Sequence, residues 1–198
     1  MLKNLNYIQY TYLHRKSLYY FIKTNKYLNE EDRKLLLQRA KIHDMDKMVL
    51  YLFWEKKDAS KYHREHNAHH VSEYIKLGNT PNRIDILESI FDYECAALTK
   101  TDKPLNAFDT LEVYYPELIP LYKDYLKDLH MDSSYTAITD DSVKYINQFS
   151  IDENTLLEEI AIYLVENEDN VYTRLKEKCC SKEEYENLIS FYPKKEDA

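Results

Sequence analysis

Six of the seven histidines of this 198-residue chain fall within its first 70 positions. Four of them lie in one run, His63-Arg64-Glu65-His66-Asn67-Ala68-His69-His70, and His43 is followed directly by Asp44. On an unbroken helix His63, His66 and His70 would stand at i, i+3 and i+7 and share one face, with His69 turned about 60° or more away. A lone helical histidine is usually a surface or satisfied core residue. A cluster of them with acids at hand is a ligand set. The acids are Asp44 and Asp92, the latter one turn after Glu88. Neutral imidazoles and hard carboxylates together suit a divalent transition metal, Mn, Fe, Co, Ni or Zn. No cysteine stands near the histidines in sequence, which argues against a structural zinc knot and for an open catalytic site.

These residues need helices to carry them, and the sequence supplies helices. Apolar side chains at helical spacing, Leu5, Ile8, Tyr12, Leu18, Phe21 and Ile22, predict a first helix over residues 5–27 with His14 in its middle. Asn29 is the expected N-cap of a second, with Glu30, Glu31 and Asp32 complementing its dipole and His43-Asp44 at its end. A third, apolar helix is expected over 46–54, and a fourth from Ser60 to Gly78, a natural C′ residue. Thr80-Pro81 is the expected start of a fifth, with Asp85, Glu88 and Asp92 on its polar stripe. Further helices are predicted near 106–115, 117–130, 140–149, 152–167, 169–179 and 182–191, the last opened by a Ser181/Glu184 capping box.

Composition agrees and excludes much else. One glycine and five prolines leave few tight turns, so the expected class is all-α, a single helical domain with a metal-bearing half over 1–104 and an acidic helical half over 105–198. A chain of this length buries roughly 70% of its unfolded surface, enough for a real core. Phosphate-cradling glycine loops are missing, and with them the P-loop and dinucleotide-binding classes. No apolar run nears the roughly 20 residues that span a bilayer, so no membrane partner is expected. Three cysteines cannot build a disulfide framework, which fits a reducing cytoplasm; Cys179-Cys180 reads as helix-end packing.

Charge is uneven. Residues 1–100 hold 17 Lys/Arg against 13 Asp/Glu, and residues 101–198 hold 10 against 22. A locally basic first half within a chain of net charge −8 suits a small anionic, phosphate-containing substrate and disfavours long nucleic acid. The 20 tyrosines fall on and off the apolar faces alike, so they form no stacking platform. Oligomeric state is not legible.

The order His14, His43-Asp44, the histidine run, then Asp92 resembles the HD superfamily of metal-dependent phosphohydrolases, named for its His-Asp doublet. It is similar in particular to an HD-like bacterial and phage family of unknown function. That family places a first-helix histidine, His-Asp-x-Ser-Lys, His-x-x-x-Asn-x-His-His and Glu-x-x-x-Asp in this order. Here stand His14, His43-Asp44-Met45-Asp46-Lys47, His63 to His70 with Asn67 in place, and Glu88 with Asp92. The departure is Asp46, where serine is common, which bears on how Lys47 is oriented. The likeness covers residues 7–100 and implies an HD-like helical bundle with additional C-terminal helices. It implies His14, His43, Asp44 and Asp92 as ligands of a first metal ion, and His63 with His69 or His70 as ligands of a second.

With such a site the expected activity is hydrolysis of a nucleotide or other small phosphoester, since a metal both acidifies water and holds phosphoryl oxygens. Asp44 could bridge two ions. Lys47, one turn after His43, could clamp a phosphate oxygen or form a salt bridge with Asp44. Glu88 could orient a ligand histidine, and His66 and Asn67 could contact substrate or support the ligands. Two other readings stand beside this one: an HD-type di-iron oxygenase, and a non-enzymatic, metal-stabilised helical interaction protein.

Overall fold

Asn29 does what an N-cap should: its side-chain oxygen accepts the backbone N–H of Asp32 at 2.9 Å, and its amide donates to the Asp32 carboxylate at 2.6 Å. Ser181 and Glu184 form the expected reciprocal box at the last helix. In the computed structural model, which describes residues 3–193, such signals resolve into an all-α chain; no strand occurs among the described residues. The helices are α1 (Leu5–Thr24), α2 (Glu30–Ile42), α3 (Met45–Phe53), α4 (Lys56–His66), α5 (Val71–Lys76), α6 (Arg83–Thr99), α7 (Ala107–Tyr114), α8 (Ile119–Asp128), α9 (Asp140–Ile146), α10 (Glu153–Glu166), α11 (Val171–Leu175) and α12 (Lys182–Ile189). None of them is long and apolar enough to cross a membrane.

Three local expectations change. The fourth helix is not continuous to Gly78: α4 stops at His66, a turn follows in which the His70 N–H returns to the Asn67 carbonyl at 3.1 Å, and α5 begins at Val71. The shared helical face of His63, His66 and His70 therefore does not exist. No glycine or proline marks this break; Asn67, a poor helix former, opens it. The N-cap of α6 is Asn82 and not Thr80, and Asn82 shares a capping box with Asp85. The first helix ends at Thr24 because the Asn25 side chain captures the N–H groups of Tyr27 and Leu28 in a turn. Gly78 ends α5 as expected, at φ +84, with Gly78 N–H to Ile75 and Asn79 N–H to Tyr74, a Schellman closure.

The chain divides into two compact units, each drawn from separated stretches of sequence. One comprises the described residues up to Tyr12, then Ile42–His63, then the described residues from Ser150 onward; the other comprises Leu13–Lys41 and Arg64–Phe149. Residues after 104 are thus shared between them.

In the first unit α10 packs on α3 and α12, and α11 packs on α3. Met45, Met48, Val49 and Leu50 of α3 and Leu156, Ile160, Ala161 and Leu164 of α10 are buried. Burial of each such large side chain contributes about 1.5–3 kcal/mol. In the second unit α6 packs on α5, α7 and α8, and α7 on α8. Its core holds Leu18, Ile22, Leu36, Leu87, Ile90, Phe91, Leu111 and Tyr122. The buried Tyr122 hydroxyl donates to Ser89 Oγ at 2.6 Å, since that Oγ donates onward to the Ile86 carbonyl. Glu94 is also spoken for: its carboxylate accepts the first N–H of α7, at Ala107, and the Tyr135 hydroxyl.

Candidate metal centre

In the first unit the site begins with a backbone conformation. Asp44, the link between α2 and α3, has φ 60, in the left-handed region. A short polar side chain tolerates that region better than most, at a cost of about 1–2 kcal/mol. The turn it makes is sharp enough that only His43 and Asp44 separate the two helices. Asp44 also occupies the N-cap position of α3, yet its side chain makes no capping bond. Its carboxylate is spent elsewhere: Lys47 Nζ lies 2.6 Å from Oδ2, His63 Nε2 2.7 Å from Oδ1, and His43 Nε2 3.6 Å from Oδ1.

His63, fully buried on α4, faces a second acid with its other nitrogen: Nδ1 lies 2.8 Å from Asp46 Oδ1. That Asp46 oxygen also accepts the Lys47 backbone N–H at 2.9 Å, and its partner oxygen is 3.5 Å from Arg174 Nη2 of α11. Burial alone would push the Asp44 carboxyl up, but Lys47, His63 and His43 around it hold it well below the usual carboxylate range. Burial alone would push His63 down, and the carboxylates of Asp46 and Asp44 reverse that and raise it.

In the second unit His14, on α1, and Asp92, on α6, meet with Nε2 2.6 Å from Oδ1. Cys95, one turn beyond Asp92, brings its Sγ to 3.8 Å from His14 Nδ1. A thiol does therefore stand beside one of the histidines, contrary to the expectation from sequence; the sequence separation of 81 hid it. His69 lies in the turn before α5, its ring tilted 43° against that of His70 with 4.4 Å between centroids, and its Nδ1 is 3.7 Å from Glu88 Oε1. Glu88 is not an exposed helix residue. It is buried, and Arg39 of α2 ties its carboxylate (3.0 Å) to that of Asp85 (2.6 Å) through one Nη1. The two acids raise the Arg39 guanidinium against the opposing effect of burial.

Among the described residues, histidine, aspartate and glutamate side chains are thus grouped so that they could hold a metal ion: His14, His43, Asp44, His63, His69 and Glu88, all buried, and His70 and Asp92, both half-buried. The donor chemistry fits. Imidazole nitrogens and carboxylate oxygens out of bulk water are the ligands first-row divalent ions take, and buried carboxylates persist only when paired or coordinating. His66, exposed at the end of α4, and Asn67, half-buried in the turn after it, are not among the grouped donors.

Sequence reasoning missed Asp46, Arg39 and Arg174. Asp46 carried one available signal, an acid two residues from another acid at a helix start. Arg39 and Arg174 carried none, since the acids they pair with lie 46 or more residues away. Compared with known proteins, the chain matches no protein-family model, no curated protein and no solved structure.

Proposed function

We propose that this chain is an HD-type metal-dependent phosphohydrolase acting on a nucleotide or other small phosphoester. The observation that carries this reading is Asp44. It sits strained at a helix start, ignores the capping bond that position offers, and buries its carboxylate among two imidazoles and an ammonium. Such an arrangement gives up stability for something other than the fold. In this reading His14, His43, Asp44 and Asp92 serve one divalent ion, and His63 with His69 or His70 serves a second. An ion held there supplies Lewis acidity toward a phosphoryl oxygen and acidifies water near neutral pH.

The chain's own residues do the rest. Asp44 offers two oxygens and could bridge. Lys47, paired with Asp44 and partly exposed, would offer its ammonium to a phosphate oxygen. Glu88, fixed by Arg39, orients His69 from behind. His66 and Asn67 are the candidates for contact with substrate or for support of the ligands.

A second reading, a structural metal in a non-enzymatic protein, draws on the complete burial of the His43 and His63 side chains. Phosphate release from p-nitrophenyl phosphate and from nucleotides, assayed with Mn²⁺, separates the two. Metal-dependent turnover that disappears in Asp44→Ala and His43→Ala, with helicity retained, supports the hydrolase. Undiminished turnover in either variant sinks it, and bound metal without turnover on any phosphoester leaves the structural role.

A further inference from the structure

The departure from the family pattern at position 46 has a structural partner. Asp46 is buried at the start of α3 and aims Oδ1 at His63 Nδ1, 2.8 Å away. Its orientation is fixed twice: the Lys47 backbone N–H donates to the same oxygen at 2.9 Å, and Arg174 of α11 stands 3.5 Å from the other. Arg174 keeps 27% of its side chain exposed, and Tyr163, Asp46 and Tyr62 raise its guanidinium against the opposing effect of partial burial. A neutral imidazole has one N–H and one lone pair, and whichever nitrogen donates fixes the other as the ligand atom.

We propose that Asp46, anchored by Arg174, is a positioning residue that holds the His63 Nδ1–H and thereby presents Nε2 as the ligating nitrogen. This rests on the metal-site reading above. His63 Nε2 then points at Asp44 Oδ1, 2.7 Å off, so that a carboxylate oxygen and an imidazole nitrogen are directed at one location. The serine common at this position in the resembling family could accept a hydrogen bond but carries no charge to pair with Arg174. The chain thus couples a charged outer partner at position 46 to a cation from its acidic C-terminal segment. That segment acquires a role the sequence did not disclose: α11 reaches the donor set through two side chains.

The test uses the full chain and Zn²⁺ as the probe, with two readouts that need no activity. The first is Zn²⁺ affinity by competition with a chromophoric chelator for wild type, Asp46→Asn, Asp46→Ala and Arg174→Met. Loss of an outer partner typically weakens metal binding about 10–100-fold. Asp46→Ala should fall in that range, Asp46→Asn, which keeps an acceptor for Nδ1–H, should recover most of it, and Arg174→Met should lie between. The second is the ¹⁵N signature of His63 in the Zn²⁺-loaded protein, with Nδ1 protonated and Nε2 metal-bound in wild type, and the two forms mixed in Asp46→Ala.

Equal affinity in wild type and Asp46→Ala, or Nδ1 as the bound atom in wild type, overturns the positioning role and leaves the metal site standing. No Zn²⁺ uptake by wild type overturns the site and the positioning role with it. If Asp46→Ala fails to fold, Arg174→Met decides: an affinity below that of wild type and of Asp46→Asn upholds the positioning role, and an affinity equal to wild type overturns it.

Discussion

His14 on α1 and Asp92 on α6 lie 78 residues apart in sequence and 2.6 Å apart in space, Nε2 to Oδ1. An imidazole–carboxylate contact this short, with the histidine buried, either is a hydrogen bond made for its own sake or marks two ligands of one ion. The alternatives differ in what removal does. Asp92→Ala should reduce metal affinity by more than the roughly 10–100-fold typical of a lost outer partner, while circular dichroism shows the helices intact. Unaltered affinity in a metal titration would remove Asp92 from the ligand set.

Asp44 allows a sharper separation of backbone from side chain. Its left-handed φ is costless for glycine and costs alanine about 1–2 kcal/mol. Asp44→Gly should therefore be more stable than Asp44→Ala by about that amount in urea denaturation, although both lack the carboxylate and both should lose the metal. Equal stabilities would show that the turn between α2 and α3 relaxes when the side chain is cut back.

Much of this fold was legible because helical signals are local. The Asn29 and Ser181 caps, the Gly78 terminus and the apolar spacing of α1 each act within a few residues. The break after His66 was not legible, because no strong breaker stands there and the turn is closed by a backbone bond from His70 to Asn67. The helical-wheel argument for His63, His66 and His70 consequently fails, although His63, His69 and His70 are still among the grouped donors. Pattern and resemblance could nominate ligands. They marked Asp46 only as a departure and did not nominate Arg39 or Arg174, since all three roles come from side chains converging across helices that sequence spacing does not relate.

Stability should also respond to acid through a pair outside the site. Burial would raise the Asp32 carboxyl, but hydrogen bonds from Arg83 and Asn29 and the Arg83 charge outweigh it and lower it from 3.8. A carboxyl depressed in the folded state contributes stability above its unfolded pKa and loses it as pH falls through the folded value. Asp32→Asn should be less stable than wild type at pH 7, by less than about 1 kcal/mol because Arg83 is half-exposed and screened. The gap should close as pH drops below about 4. A gap that widens in acid would contradict the assignment.

The most direct test of the central claim is metal content. Elemental analysis of protein purified with neither added metal nor chelator, repeated on His43→Ala, should find about one or two equivalents of a transition metal in wild type and little in the variant. No metal in either protein, or the same content in both, would contradict a centre built on His43 and Asp44.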